Sequence, residues 1–285
     1  KALINKEVLA TLIGATSKFI DKMADLDVRI VLAGGETADV GDIVRTADVG
    51  FTAFGRLKRK DLVINKIRSG QVIIGFESYG QSTYETEYNS GIGSNGLTMA
   101  RHELFHHDYA DKYEETYAPQ IDRKYVYTGK FKVDDNVIIG GRNHPIGKLA
   151  LSPTRTYLPV LNEILKNHKE SIHGIIHATG GGHTKVLKYC DAPVHILKDN
   201  LFEVPPIFDI IQKSTDTSLA EMYKVFNMGT RLELYIDAEA AASIIEISAI
   251  FNIRAQVIGR VEGSKDNSMS VTVITNTETL VYQEK

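Results

Sequence analysis

A run of glycines at 180–182 is the segment of this sequence best suited to chemistry. The apolar residues 172–177 precede Ala178 and Thr179, so a strand is predicted to run directly into a loop almost without side chains. Backbone N–H groups in such a loop can approach an anion closely, although each glycine costs roughly 0.5–1 kcal/mol in chain entropy. The pattern favours an anion-binding loop. A tight strand-to-helix connection without a ligand is the alternative that the glycines alone leave open.

Two further glycine loops lie at a predicted strand end and at a predicted helix start. The first, 34–37, follows the β-branched run 28–32, and the second, 91–96, precedes a predicted helix at 97–105. The second loop would lie where a helix N-terminus offers unpaired N–H groups and the positive end of its dipole, with helix capping as the alternative role for Asn95. None of the three loops has the Walker lysine or the dinucleotide fingerprint, which disfavours the two commonest nucleotide folds.

His177, the last residue before the glycine-rich loop, is the candidate for proton transfer. Its imidazole has a titration range suited to chemistry at neutral pH, with a structural histidine as the alternative. The histidines at 173, 183 and 195 have no metal-ligand spacing, so we do not expect them to bind a metal. The single cysteine, Cys190, has no nucleophile signature around it and is expected to be a structural thiol.

The composition is that of an ordinary globular chain of one or two domains. Of 285 residues, 43% are hydrophobic and 24% charged. The formal charge of −3 does not indicate a surface that binds nucleic acid or an anionic membrane. One cysteine suits a reducing compartment, and no apolar run approaches the ~20 residues of a membrane span. We therefore expect a cytoplasmic location. The sequence opens at Lys1 just before an amphipathic helix, so we also expect an N-terminal segment to be missing from it.

The secondary-structure pattern predicts layered α/β packing with a mixed sheet. Residues 46–57 alternate as a half-buried strand, the basic stretch 58–61 is typical of a linker, and a new buried strand begins at 71. The segment 106–147 is polar and tyrosine-rich and is predicted to be a surface excursion with one short hairpin. Helices are predicted at 97–105, 153–166, 207–212, 219–226 and from 237 to 250, and strands at 172–177, 194–197, 230–236, 255–261 and 270–274.

Five short motifs, taken in order, resemble those of the phosphoribosylformylglycinamidine cyclo-ligase (AIR synthetase) family. They are Gly34-Gly35-Glu36-Thr37-Ala38, Ser94-Asn95-Gly96, His177-Ala178-Thr179-Gly180-Gly181-Gly182, Val225-Phe226-Asn227-Met228-Gly229 and Val257-Ile258-Gly259-Arg260-Val261. The resemblance covers almost the whole chain. It implies a two-domain AIR synthetase-like fold, with 1–62 as the remainder of an N-terminal ATP-binding and dimerisation domain and 68–285 as the C-terminal domain.

The resemblance also implies the reaction and the roles of the motif residues. The family closes the ring of formylglycinamidine ribonucleotide to aminoimidazole ribonucleotide, using ATP and Mg²⁺, by phosphorylating the formyl oxygen, and it forms homodimers. Gly34, Gly35, Glu36 and Thr37 would contact the nucleotide, with Glu36 a candidate Mg²⁺ ligand. Substrate binding would fall to Ser94, Asn95, Gly96, Thr179, Gly180, Gly181, Gly182 and Asn227, and His177 would be the catalytic residue.

Two departures from the family pattern keep other functions open. Many members have a histidine immediately before Ser-Asn-Gly, where this chain has Gly93, and the loop after Ala38 also differs. One alternative is another ATP-dependent enzyme of the superfamily, such as formylglycinamidine ribonucleotide synthetase, selenophosphate synthetase, thiamine-phosphate kinase or a hydrogenase maturation factor. A non-catalytic paralogue that binds a nucleotide or a partner chain is the other.

Overall fold

The computed structural model describes residues 4–283, in which nine strands and eight α-helices are present. The strands are β1 (Val72–Glu77), β2 (Asn136–Ile139), β3 (Arg142–Pro145), β4 (Ile172–His177), β5 (Val194–Lys198), β6 (Thr230–Ile236), β7 (Ala255–Gly263), β8 (Ser270–Ile274) and β9 (Thr279–Gln283). The helices are α1 (Lys6–Ala24), α2 (Leu97–Leu104), α3 (Asp108–Lys112), α4 (Ile146–Ala150), α5 (Leu158–His168), α6 (Pro206–Thr215), α7 (Leu219–Val225) and α8 (Ala241–Ile250).

Seven of the strands form one mixed sheet in the order β4-β6-β1-β7-β5-β8-β9. Neighbours are antiparallel except for β5 and β8, which run parallel. Two antiparallel steps separate β4 from β1, and two separate β1 from β5, so these three strands point the same way. Their carboxyl ends therefore lie at one edge of the sheet, together with the amino end of β6.

Strand β6 explains how the sheet divides the core, because all seven of its residues are buried. Successive side chains of a strand point to opposite faces. Leu232, Leu234 and Ile236 pack with α5 and α8 on one face, whereas Tyr235 belongs to the larger cluster on the other face with α2, α6 and α7. Arg231 and Glu233, which alternate with the three aliphatic residues, share the face of Tyr235. Two charged residues are thus placed inside the larger core.

Local sequence explains several element ends. Ser218 accepts a hydrogen bond from the backbone N–H of Glu221 (3.3 Å) and so caps α7, as expected for a Ser-x-x-Glu start. Strands β2 and β3 are joined by Gly140 and Gly141, whose φ angles of 56° and 76° are those that a type I′ hairpin turn requires. The hairpin predicted within 106–147 is therefore confirmed.

The strands predicted at 28–32 and 46–57 are wrong. Both segments are without strand hydrogen bonds, and Phe51 and Phe54 are 73% and 88% exposed. A strand requires partners for its N–H and C=O groups, and within residues 4–283 no neighbouring strand lies along either segment. Alternation of apolar side chains did not suffice without a sheet to join.

The start predicted for the helix at 153–166 is also wrong, because α5 begins at Leu158. Tertiary hydrogen bonds hold the preceding residues extended: Asn89 donates to the carbonyl of Pro153 (2.9 Å) and Tyr84 to that of Thr156 (2.6 Å). The hydroxyl of Ser152, just before the predicted start, accepts from the N–H of Ser90 (3.0 Å). Contacts from distant residues override the local start signal here.

The segment 106–147 is only partly a surface excursion. Ala110, Val126 and Tyr127 are buried in the larger core, and Gly129 lies so close to the backbone of Leu104 that a Cβ would meet its carbonyl carbon at 2.2 Å. Tyr109, Tyr117 and Tyr127 pack in or against this core while their hydroxyl groups form hydrogen bonds, which a polar composition does not reveal. None of the helices within residues 4–283 is long and apolar enough to cross a membrane.

Candidate functional site

Three loops meet at the sheet edge formed by the carboxyl ends of β1 and β4 and the amino end of β6, which we call the loop edge. They comprise 91–96, 178–182 and 227–229, and they contain three of the five sequence motifs in whole or in part. Their proximity is direct: a Cβ on Gly180 would lie 3.1 Å from Nδ2 of Asn95, and one on Gly96 would lie 2.4 Å from the ring of Phe226. Residues far apart in sequence are thus brought together.

The triple glycine forms a tight turn from β4 into a short 3₁₀ helix, Gly182–Lys188. Gly181 and Gly182 have φ angles of 98° and 46°, and the N–H of Gly182 donates to the carbonyl of Thr179 (3.0 Å). A Cβ on Gly182 would lie 2.4 Å from the carbonyl oxygen of Phe226, so glycine is needed there for packing. Gly180 is exposed and faces Asn95, which leaves it free to approach a ligand.

Lys185 places an ammonium group beside this turn and was not singled out from the sequence. It lies in the 3₁₀ helix, half-buried, and Nζ donates to Oγ1 of Thr179. Partial burial and the neighbouring Lys188 lower its pKa. A cation next to exposed backbone N–H groups is a suitable arrangement for a phosphate or carboxylate.

His177 ends β4 at the loop edge, where the residue is accessible to solvent and its ring is partly covered. Partial burial of the ring and the cations of Arg231 and Lys185 lower the pKa of His177 to about 4. The expectation that it titrates near neutrality is therefore wrong, because the ring is neutral at pH 7. A neutral imidazole can accept a proton at one nitrogen and donate a hydrogen bond from the other.

The loop 91–96 leads into α2 through Gly96, whose φ is 68°. Gly96 occupies the N-cap position without a side-chain hydrogen bond, so Asn95 is not the cap of this helix. Ser94 is exposed and Asn95 is half-buried against Gly180. Both side chains lie where a ligand held by the glycine turn could reach them.

Asn227 is 2% exposed, and its amide group is used within the protein. Nδ2 donates to the carbonyl of Gly91 (2.8 Å), and Oδ1 accepts from the N–H of Gly229 (3.1 Å). Its backbone carbonyl lies 2.9 Å from Nε2 of His183. These contacts favour a role in bracing the loops over direct contact with a substrate.

A buried ionic cluster lies beneath the 3₁₀ helix. Lys198, fully buried, donates to the carbonyl of His183 (2.9 Å) and to Oε1 of Glu233 (2.5 Å), and the Tyr235 hydroxyl donates to Oε2 of Glu233 (2.9 Å). Burial lowers the pKa of Lys198, while Glu233 opposes that shift. The cluster supports the loop from below. Its sequence signal is the presence of charged residues in the otherwise apolar strands β5 and β6.

The loop 34–37 does not join the other three. Gly34, Gly35, Glu36 and Thr37 are exposed, belong to no helix or strand, and have no hydrogen bond or ion pair with any other described residue. No group of three or more His, Cys, Asp or Glu side chains in the described part of the chain could hold a metal ion. Glu36 alone is an incomplete ligand set for Mg²⁺, which prefers octahedral oxygen coordination, so these residues do not fit the implied metal.

Comparison with known proteins places these features in a family context. Residues 68–272 match the family model for "AIR synthase related protein, C-terminal domain". The chain is similar to phosphoribosylformylglycinamidine cyclo-ligase of Methanocaldococcus jannaschii, with 31% identity over 239 residues, covering 84% of this chain and 58% of the relative. It is also similar to the enzyme of that name from Methanococcus vannielii, with 33% identity over 234 residues, covering 82% and 56%. The chain thus spans a little over half the length of these relatives.

Solved structures overlap more weakly. Thermotoga maritima PurL complexed with ATP has 13% identity and a TM-score of 0.40, over 80% of this chain and 27% of that one. E. coli HypE, a hydrogenase maturation protein, has 13% identity and a TM-score of 0.37, over 78% and 51%. At such TM-scores neither overlap carries an argument about function.

Proposed function

The chain belongs to the AIR synthase related protein family, and from this premise we propose that it takes part in the ATP-dependent closure of formylglycinamidine ribonucleotide to aminoimidazole ribonucleotide. The observation that carries the proposal is the meeting of three motif loops with His177 and Lys185 at the loop edge, inside the matched region 68–272. Relatives that carry the cyclo-ligase name support purine biosynthesis as the pathway.

The reaction needs activation of a poor leaving group. The γ-phosphoryl group of ATP is transferred to the formyl oxygen, the amidine nitrogen attacks the activated carbon, and phosphate leaves as the ring closes, giving ADP and inorganic phosphate. Such a reaction depends on positioning and on stabilisation of developing charge more than on a protein nucleophile. The glycine turn, with its exposed backbone, is suited to this task.

We assign roles to three groups at the loop edge. Lys185 and the N–H groups of Gly180 and Gly181 would hold a phosphate, either that of the ribonucleotide or the one transferred. Ser94 and Asn95 would contact the substrate from the opposite loop. His177, neutral at pH 7, would accept the proton that the attacking nitrogen loses, since an adjacent bound phosphate raises the pKa of an imidazole.

The remaining family properties belong to the same proposal. We propose that 1–62 is the remainder of an N-terminal ATP-binding and dimerisation domain and that 68–285 is the C-terminal domain, a division supported by the start of the family match at residue 68. On the family resemblance we propose that the protein uses ATP and forms a homodimer, and on its single cysteine and the absence of a long apolar run we propose a cytoplasmic location. No Mg²⁺-dependent step is assigned to the described residues, because Glu36 belongs to no group of three or more potential metal ligands among them.

A turnover assay tests the proposal. The natural full-length protein is incubated with ATP, Mg²⁺ and formylglycinamidine ribonucleotide, and ADP release is measured together with formation of the imidazole product. We expect ADP release that requires the ribonucleotide. ATP hydrolysis that responds instead to a different acceptor would favour another enzyme of the superfamily, and binding without turnover would favour a non-catalytic paralogue.

A pair of histidine variants tests the assigned base. His177→Ala should lower kcat by roughly 10²-fold or more, the usual contribution of general acid–base catalysis, with the fold unchanged by circular dichroism. His195→Ala is the matched control, because His195 lies near the start of β5, at the opposite edge of the sheet, where its ring contacts Oγ of Ser270 (2.8 Å). Equal rates for the two variants would remove His177 from the mechanism.

A further inference from the structure

Arg231 is the most deeply buried arginine among the described residues and lies directly behind the loop edge. Only 1% of it is exposed, and it belongs to a strand in which every residue is buried. Its guanidinium donates to three backbone carbonyls: Nη2 to Gly91 (3.0 Å) and Ile92 (3.0 Å), and Nη1 to Ala178 (3.3 Å). One side chain therefore connects two of the three loops.

The Arg231 guanidinium fills the space that a side chain at position 93 would need. A Cβ on Gly93 would lie 2.2 Å from Nη2 and 2.7 Å from Cζ of Arg231, and the φ of Gly93 is 61°. Any side chain at 93 would have to displace the guanidinium. The glycine immediately before Ser94 is thus explained by an arginine that lies 138 positions further along the chain.

Arg231 has no carboxylate partner within ion-pair distance in the described part of the chain. Arg155, the other deeply buried arginine, does have one, because its Nη2 lies 2.7 Å from Oε2 of Glu85. Carbonyl dipoles compensate a buried cation only in part, and an unpaired buried charge costs several kcal/mol. A merely structural link between the loops would not need that charge. An anionic ligand at the loop edge would supply the missing counter-charge.

We propose that Arg231 is a positioning residue of this site, which fixes the loops 91–93 and 178–182 relative to each other and directs a buried positive charge toward a phosphate group bound at the loop edge. The assignment of that phosphate to a ribonucleotide substrate rests on the proposed function. The positioning itself rests on the contacts of the guanidinium.

The pKa of His177 depends on the charge of Arg231. The backbone N–H of Ala178, the next residue, donates to the carbonyl of Arg231 (2.7 Å), and the two charged groups that act on the His177 ring are Arg231 and Lys185. Removal of Arg231 should raise the pKa of His177 by about one unit, the shift expected for the loss of one nearby cation. If the charge of Arg231 did not act at the loop edge, that pKa would stay unchanged.

The experiment compares Arg231→Met, Arg231→Lys and the control Arg155→Met in the full chain. The pKa of His177 is followed by NMR titration, and the affinity for inorganic phosphate is measured by calorimetry. Arg231→Met should raise the pKa and weaken phosphate binding by roughly tenfold or more. Arg231→Lys keeps the charge and should restore the pKa while restoring the affinity only in part. Arg155→Met should change neither quantity, although it lowers stability.

Gly93→Ala provides a second measurement if Arg231→Met fails to fold. The added methyl group displaces the guanidinium without removing its charge, so phosphate affinity should fall and the His177 pKa should rise. Unchanged values in Gly93→Ala, or equal changes in Arg231→Met and Arg155→Met, would overturn the proposal. These readouts use inorganic phosphate and an NMR signal, so they remain decisive even if the protein shows no ring-closing activity.

Discussion

Replacement of Lys198 by methionine should destabilise this protein more than most single substitutions. The ammonium group is fully buried, and its two hydrogen bonds go to Glu233 and to the carbonyl of His183. Methionine has a similar length and no charge. Lys198→Met therefore leaves the Glu233 carboxylate, itself 1% exposed, with the Tyr235 hydroxyl as its remaining hydrogen-bond donor.

The size of the effect follows from burial. Removal of one partner from a buried ion pair costs about 3–5 kcal/mol, because the remaining charge stays out of water. That is a large part of the roughly 5–15 kcal/mol by which domains are stable. In the double variant Lys198→Met/Glu233→Gln both charges are gone, and the glutamine oxygen can still accept from Tyr235. We expect it to cost about 2–4 kcal/mol, well below the sum of the two single changes.

Urea unfolding of the wild type, both single variants and the double variant gives the coupling free energy directly. We expect a coupling of at least about 2 kcal/mol, because the two single changes together should cost more than the double variant by that amount. Lys166→Met is the matched control, because Lys166 forms an ion pair with Asp27 at the surface and should unfold like the wild type. Additive effects of the two buried changes, or a wild-type midpoint for Lys198→Met, would falsify the argument that the pair is a coupled support of the loop.

Two further predictions concern the glycine turn and a buried carboxyl group. Gly182→Ala should lower the free energy of unfolding by about 2 kcal/mol or more, because its Cβ would lie 2.4 Å from the Phe226 carbonyl oxygen at a φ of 46°. Gly14→Ala, in open space within α1, should raise it by up to about 1 kcal/mol, so thermal shifts of the same sign for both would contradict the packing argument. Burial raises the pKa of Glu103 from 4.5 to about 7. The folded state then holds an extra proton between these values, and its stability falls as pH rises from about 4.5 to 7. Glu103→Gln should flatten this dependence between pH 5 and 8 in urea midpoints, and an unchanged slope would show that another group is responsible.

Elements with a strong local pattern could be predicted from the sequence. Strand β6 was predicted with its observed bounds, because Leu232, Leu234 and Ile236 alternate with polar residues and Asp237 follows directly after them. Strand β9 was missed, since Thr279–Gln283 is a mostly exposed edge strand that one neighbour alone holds in place. The strand predicted at 46–57 is absent for the opposite reason. These residues have the alternating apolar pattern, but no neighbouring strand lies beside them.

The candidate site could be predicted only where its chemistry lies in a contiguous motif. His177 and 180–182 were found because strand, histidine and glycines follow one another in the sequence. The partnership of Gly93 with Arg231 has no local signal, since it depends on strands that pair only in the folded sheet. The neutral state of His177 also could not be predicted from the sequence, because it depends on Lys185 and Arg231 lying near the ring in the fold.

The position of β6 between β4 and β1 has a consequence for synthesis of the chain. Ile74 of β1 pairs with Leu234 of β6, 160 residues later. At a translation rate of roughly 5–20 residues per second, β6 is synthesised roughly 8–30 s after β1. During that time β1 lacks the strand with which it pairs in the folded sheet. The sheet cannot form from its amino-terminal strands alone, because β6 lies between β4 and β1. The loop edge is accordingly assembled only after β6 has been synthesised and brings Arg231 between loops that were made earlier.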